Sequence, residues 1–398
     1  MESEPLVPRL RFPEFRQARE WHVRSLGDLF AERQESGFTD LPLLSVTDKE
    51  GVIPQEQTNR RDSSNIDRSK YLRVVPGDIA YNTMRMWEGR SALVDLEGVV
   101  SPAYTVCKPR AESNSRFFSF YFKTPHVIEN FKKLSQGLVK DTLNLKYGAF
   151  SKILALIPSP AEQQKIAECL TSLDELIEAE GRKLHALRTH KKGLMQNLFP
   201  REGETLPRLR FPEFHSAGEW ERRPLSRIAE NLDNRRVPIT AKDRKKGNVP
   251  YYGASGVVDY VASCIFDEGL LCVSEDGANL VARTYPIAFP ISGKTWVNNH
   301  AHVLRFSRAE TQTMVENYLN ERDLHDFITG MAQPKLNRAM LDKIPIPLPP
   351  PQEQLRIADC LSSLGALINS QAKKLDTLKL HKQGLMQVLF PLPEASTV

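Results

Sequence analysis

The chain repeats itself, and the repeat constrains its fold more than any other feature. Pro8-Arg9-Leu10-Arg11-Phe12-Pro13-Glu14-Phe15, followed by Glu20-Trp21, returns as Pro207-Arg208-Leu209-Arg210-Phe211-Pro212-Glu213-Phe214, followed by Glu219-Trp220. A second block, Glu162-Gln163-Gln164-Lys165-Ile166-Ala167-Glu168-Cys169-Leu170, returns as Glu353-Gln354-Leu355-Arg356-Ile357-Ala358-Asp359-Cys360-Leu361. Its tail, His190-Lys191-Lys192-Gly193-Leu194-Met195-Gln196, returns as His381-Lys382-Gln383-Gly384-Leu385-Met386-Gln387. Agreement over blocks of this length is not chance, so one two-part unit has been built twice. Between the blocks, residues 25–155 and 224–346 share little. A scaffold kept while its inserts diverged suits a protein that does one mechanical job on two different targets. Duplication with drift is the plainer account, but it does not readily explain why the helical blocks stayed alike.

The second block reads as a long amphipathic helix in both copies. Ser159 suits the N-cap and Pro160 the first helical position, with Glu162 placed to close a capping box. A four-three spacing then runs through Ile166, Leu170, Leu173, Ile177, Glu180, Leu184, Leu187, Lys191, Leu194 and Leu198. The second copy runs through Ile357, Leu361, Leu364, Ile368, Gln371, Leu375, Leu378, Lys382, Leu385 and Leu389. These are heptad seams, each narrow and set in charged surface, so each seam is expected to pair with the other. Parallel pairing would bury Lys191 beside Lys382. An antiparallel coiled coil in which Glu180 meets Lys382 and Lys191 meets Gln371 avoids that, and at 1.5 Å per residue it would reach about 50 Å or more. The alternative is two helices each packed on its own domain.

The inserts read as mixed strands and turns, which makes the class α+β. Strands are expected at Leu72–Val75, Ile79–Tyr81 and Ala92–Val94, then at Tyr251–Tyr252, Leu270–Val273 and Ala288–Phe289, with helical patches near Phe117–Leu134 and Glu310–Phe327. The expected layout is a first globular domain over 1–156, a long helix within 157–199, a second domain over 200–347 and a last helix within 348–392. A chain of 398 residues has room for two cores. With 40% hydrophobic and 26% charged residues it has no apolar run near the roughly 18 that a membrane helix needs. Met1 to Pro8 lacks the basic and apolar regions of an export signal, so a cytoplasmic location is expected. Cys107, Cys169, Cys264, Cys272 and Cys360 contain no Cys-x-x-Cys pair and read as buried thiols in a reducing compartment.

A net charge of +5 is compatible with a polyanion partner, and its distribution is more informative. In the first domain Arg60, Arg61, Arg68 and Lys70 cluster in polar sequence, joined by Arg85, Arg90, Lys140 and Lys146 as candidates for DNA contact. In the second domain the candidates are Arg235, Arg236, Lys242, Arg244, Lys245 and Lys246, with Lys294, Asn298 and Asn299. Cations of this kind neutralise phosphates, while amide and guanidinium groups read base edges. His300-Ala301-His302 invites a metal reading, but neither a cysteine nor an acidic pair stands near it in sequence, so a polar turn or packed feature is expected there. Glu275-Asp276-Gly277 reads as a turn rather than a magnesium site. Phosphate-loop, His-Glu-x-x-His and Gly-x-Ser-x-Gly motifs are missing, as is the Asp/Asn-Pro-Pro-Tyr/Phe sequence of amino-methylating enzymes. No catalytic, cofactor-binding or metal-ligating residue is therefore expected in this chain.

Over essentially its whole length the chain resembles the specificity subunit of type I restriction–modification systems. The residues that carry the likeness include Val7-Pro8-Arg9-Leu10-Arg11-Phe12 and its second copy, and Gly77-Asp78-Ile79-Ala80-Tyr81-Asn82 followed by Val100-Ser101-Pro102-Ala103-Tyr104. Thr142-Leu143-Asn144-Leu145 precedes Ile157-Pro158-Ser159-Pro160-Ala161-Glu162-Gln163, and Trp296-Val297-Asn298-Asn299-His300-Ala301-His302 precedes Pro347-Leu348-Pro349-Pro350-Pro351-Gln352-Glu353-Gln354. The resemblance implies a non-catalytic subunit with two target-recognition domains, each reading half of a bipartite, asymmetric site in double-stranded DNA. It implies two methylation subunits that bind S-adenosylmethionine and methylate adenine N6. Restriction subunits that use ATP and Mg complete the assembly. A two-headed protein-binding scaffold is the rival from another class, and a stand-alone nuclease is the weaker one.

Overall fold

The structure, a computed structural model, describes residues 7–47, 51–58, 68–137, 139, 142–330 and 332–391. It divides into two compact units, Met1–Glu180 with Lys374–Val398, and Gly181–Lys373. Both mix helices and strands, so the class is α+β. Among the described residues no helix is long and apolar enough to cross a membrane.

The head of the first unit is an antiparallel sheet in the order Phe30–Glu32, Tyr104–Pro109, Ile79–Asn82 and Ser91–Leu93. Helices Ser115–Tyr121 and Pro125–Leu134 supply an aromatic core in which Phe117, Phe118, Tyr121, Phe122 and Phe131 gather with Phe30 and Phe150. The helical patch expected across Phe117–Leu134 is thus two helices, because Pro125 bars Thr124 from helical geometry and starts a new helix. In the second unit one sheet runs Glu230–Asn231, Ala301–Arg305, Leu270–Ser274 and Ala288–Ile291. A second sheet runs Gly256–Val261, Lys246–Gly253, Lys294–Val297 and Phe266–Asp267, and a helix spans Ala309–Glu321. The two central sheets share one order, first-fourth-second-third along the chain. The first head adds the two-stranded pairs Leu44–Val46 with Val52–Pro54 and Leu72–Val74 with Gly98–Val100, where the second adds its further four-stranded sheet. Both heads tie their ends in one way. His22–Ser25 pairs antiparallel with Leu154–Ile157, and Glu221–Pro224 pairs antiparallel with Pro345–Leu348.

Each tie leads into a long helix, Pro160–Leu198 and Pro351–Leu389, of 39 residues each. The duplicated Arg-Leu-Arg-Phe-Pro-Glu-Phe segment grips the start of that helix identically in both units. Arg11 donates from Nε and Nη2 to the two carboxylate oxygens of Glu162 at 2.8 and 2.7 Å, and Arg210 does the same to Glu353 at 2.8 and 2.7 Å. The remaining guanidinium N–H groups donate to Ala18 and Arg19 carbonyls in one copy and to Ala217 and Gly218 carbonyls in the other. Lys165 lies over the Phe12 ring and pairs with Glu14, while Arg356 lies over Phe211 and pairs with Glu213. Next to each clamp a buried glutamine straps the helix to its head. Gln163 donates to the Pro158 carbonyl at 3.0 Å and Gln354 to that of Pro349 at 2.8 Å. The expected capping box at Ser159 is therefore only half made. The Glu162 N–H reaches Ser159 Oγ at 3.4 Å, but the Glu162 carboxylate, 1% exposed, is committed to Arg11 and to the Trp21 Nε1–H.

The same segment also caps a helix end. The Leu10 N–H donates to the Val388 carbonyl and the Leu209 N–H to that of Asn197, both at 2.9 Å. In the second unit that bond closes across a short stretch of chain. In the first it joins residues from the two ends of the sequence, so one structural unit is assembled from two different cuts of the chain.

All twenty seam positions are buried or half-buried. In the first unit the two helical segments run antiparallel, since Asp174 pairs with Lys382 at 2.5 Å and Glu180 pairs with Lys374. This corrects the expected register, in which Glu180 met Lys382, by about one heptad. Two causes decide it. Lys382 and Glu180 find charges just off the seam, which flexible lysine stems reach without strain. The far end of the second helix then docks Leu385, Met386, Leu389 and Phe390 into the first head, with Phe390 5.5 Å from Phe117 and 5.7 Å from Tyr121. Burying that apolar end outweighs matching two polar seam residues. In the second unit Ile357 and Leu361 share a core with Leu194, Met195 and Leu198. Lys191 stands close enough to Glu316 to oppose the upward push of burial on that carboxyl.

Candidate nucleic-acid interface

Many of the charges singled out in the sequence are already engaged inside the fold. Arg236 donates to Glu275 Oε2 at 2.7 Å and to the Ala301 carbonyl at 2.8 Å, and pairs with Asp233. Only 13% of its side chain is exposed, so Arg236 is a scaffold residue and not the free phosphate contact expected of it. Arg244 is also engaged. It pairs with Asp259 at 3.0 Å, donates to the Ile239 carbonyl and stacks over Tyr251 at 4.5 Å. Asn298 is buried, with its Oδ1 accepting the His300 N–H, which corrects its place among the base readers. Arg235 lies over Phe266 at 4.8 Å and 3.6 Å from Glu268. Lys242, Lys245, Lys246, Lys294 and Asn299 are exposed.

In the first head Arg85 and Arg90 share Glu88, at 3.2 and 2.8 Å. Lys70 is exposed, Arg68 half-buried, and Lys146 sits exposed at the start of helix Tyr147–Phe150. Arg60, Arg61 and Lys140 lie outside the described residues.

The His300-Ala301-His302 segment is a packed feature, but it does have acidic company. His302 is 1% exposed and hydrogen-bonded at both ring nitrogens, to Asp233 Oδ2 at 2.6 Å and to the Leu336 carbonyl at 2.7 Å. Asp233, Glu275 and His302 bring ligand-type atoms within 4.8 Å of one another, an acidic pair that sequence proximity did not reveal. Arg236 and Lys335 already supply the positive charge this cluster needs, with Lys335 at 3.2 Å from Glu275. Its chemistry is that of an anchor for the chain around Asn298 to His300 and Lys335. Burial pushes the Asp233 carboxyl up, but the His302 hydrogen bond and charge, the Val303 N–H and Arg236 outweigh it and hold the group low. Glu275 is held low in the same way, with Arg236, His302 and Lys335 overcoming burial.

A carboxylate whose folded-state pKa is depressed adds stability above its ordinary range and loses it as pH falls through the folded value. The second unit should therefore lose stability below about pH 4. Asp233→Asn should flatten that acid limb while lowering stability at neutral pH, as read by thermal unfolding across pH. An unchanged limb would show that the cluster is not its source.

The thiols are mixed. Cys107 and Cys272 are buried and pushed up by desolvation, Cys169 and Cys360 are half-buried, and Cys264 is exposed, so the expectation of five buried thiols fails at Cys264.

A duplicated frame gripping two heads that differ in the strands added to a common sheet, with Lys242, Lys245, Lys246 and Lys294 exposed and Arg235, Arg236 and Arg244 engaged in the fold, defines a two-headed recognition protein. The chain belongs to the family described as type I restriction modification DNA specificity domain, whose model matches residues 18–189 and 217–380. It is 35% identical over 149 residues to the putative type I restriction enzyme specificity subunit S.HindORF215P of Haemophilus influenzae, a match spanning 37% of this chain and 38% of that protein. It is 23% identical over 420 residues to the type I restriction enzyme MjaVIII specificity subunit of Methanocaldococcus jannaschii, covering 96% of this chain and 93% of the relative. Its fold is similar to the crystal structure of a type I restriction-modification S subunit from M. genitalium, at a TM-score of 0.64 and 14% identity over 97% of this chain and 99% of that one. A chain from a type I restriction-modification system solved to describe complex assembly and conformational transition aligns at 0.54, with 15% identity over 93% of this chain and 97% of its own.

Proposed function

We propose that this specificity subunit reads a bipartite, asymmetric site in duplex DNA, one half by each head, and carries no active site of its own. Two methylation subunits holding S-adenosylmethionine would dock on its helical frame and methylate adenine N6 at the chosen site. Their chemistry requires the adenine to leave the stack, which closure around one duplex would assist. Restriction subunits using ATP and Mg would convert the assembly to cleavage, all within the cytoplasm. The observation that carries this reading is the contrast between frame and heads. Arg11–Glu162 and Arg210–Glu353 are superposable in chemistry and distance, yet the heads they hold, alike in the order of their central sheet, differ in the strands added to it, two-stranded pairs in the first and a further four-stranded sheet in the second. One frame presenting two unlike surfaces suits two unlike half-sites.

Mapping methylated adenines across the host genome before and after deletion of the gene tests it. Loss of methylation at a single two-part motif is expected. An unchanged methylation map would sink the proposal.

A further inference from the structure

Edge strands are normally guarded by charge, because an exposed apolar edge invites aggregation. Gly256–Val261 is the edge of its sheet, and it exposes Val257 by 44%, Val258 by 49% and Tyr260 by 55%. The register sets Tyr260 opposite Pro250 and Val257 opposite Tyr252, so these four side chains share one face. Tyr252 in turn stacks on Phe289 at 6.0 Å. The other face buries Tyr251 and Val261 in the head. A register shift at Tyr251 and Tyr252 leaves Val258 as the extra residue of a bulge, a feature that re-aims a strand.

The hairpin is held stiff at its base. Arg244 pins Asp259, and Tyr251 OH accepts the Ile239 N–H at 3.0 Å. At Gly247 a Cβ would overlap the backbone of Val261 and Ala262, so the strands close up there only with glycine. Lys242, Lys245 and Lys246 are exposed around that base, whereas the hairpin's carboxylate, Asp259, is neutralised by Arg244, and Asp243 is bonded by Thr240. An apolar ridge flanked by free lysines fits a groove with anionic rims. A two-stranded ribbon fits the major groove of B-DNA, about 12 Å wide, where the one apolar group on a base edge is the thymine methyl.

We propose that this hairpin, Lys246–Gly253 with Gly256–Val261, is the base-reading element of the second head, placing Val257 and Tyr260 against thymine methyls while the lysines hold the flanking phosphates. The inference rests on the reading of the chain as a DNA specificity subunit and assigns its second half-site to one element and one base.

The test uses the full chain with its methylation subunits and a duplex bearing the mapped motif. Deoxyuridine in place of thymine in the second half removes only the methyl groups. That change should weaken wild-type binding on the order of tenfold. Val257→Ala with Tyr260→Ala should weaken binding to the thymine duplex similarly, abolish the deoxyuridine penalty and leave discrimination in the first half intact. Lys245→Ala should reduce the salt dependence of binding by about one unit without changing base preference. A second half lacking thymine, a wild type indifferent to deoxyuridine, or a double variant that keeps the full penalty overturns the hairpin proposal alone. Absence of sequence-specific binding by the wild-type complex overturns the underlying reading as well.

Discussion

Replacing Arg210 with methionine is expected to destabilise the second unit by about 3–5 kcal/mol, because it strands a carboxylate that the fold has removed from water. Glu353 is 0% exposed and Arg210 8%, and four of the arginine's N–H···O bonds are lost together. The loss has two parts that a second variant separates. Glu353→Gln in the methionine background removes the buried charge but not the missing bonds, so it should recover a substantial part of the stability. Arg11→Met should behave alike in the first unit, since Glu162 is equally buried and its bonds match to within a few tenths of an ångström. Denaturant unfolding reads each unit. A cost below about 1 kcal/mol, the range of an exposed ion pair, would show that water reaches these carboxylates and that the repeated segment is not a clamp.

On the proposed reading of a two-part site, insertion of seven residues into both long helices should alter the spacer tolerated between the two halves. Each helix runs unbroken through the boundary between the units, at Glu180 and Gly181 in one and at Lys373 and Lys374 in the other. A heptad preserves the inward seam and adds about 10 Å of helix, so the spacer can lengthen by up to about three base pairs. An insertion of five residues should instead rotate the apolar stripe away and impair folding. Methylation mapping with each variant reads the result. An unaltered spacer with a folded heptad variant would show that helix length does not govern the choice of site.

The sequence carried the frame almost completely. Seam positions from Ile166 to Leu198 and from Ile357 to Leu389 face inward as their spacing requires, because helical periodicity is a local property. Strands such as Leu270–Ser274 and Ala288–Ile291 fall on the apolar runs that suggested them, with ends differing by one or two residues. The functional surface was less readable. Arg236 and Arg244 looked like free cations because Glu275 and Asp259 stand 39 and 15 residues away, and their partnership exists only after folding. Arg11 and Glu162 lie 151 residues apart, yet a signal was available, since both return in the second copy as Arg210 and Glu353. For the Val257–Tyr260 ridge the sequence shows a short apolar run, and only its exposure distinguishes it from core.

Repetition and period, which are read along the chain, determined that there are two heads on two long helices and which side of each helix turns inward. Tertiary structure alone decided the helix register and the division of charges into structural and free. Both are competitions between partners distant in sequence. Asp174 and Phe390's aromatic pocket outbid the seam match for Lys382 and its helix, and burial at His302 drew in an acidic pair that no local pattern announces.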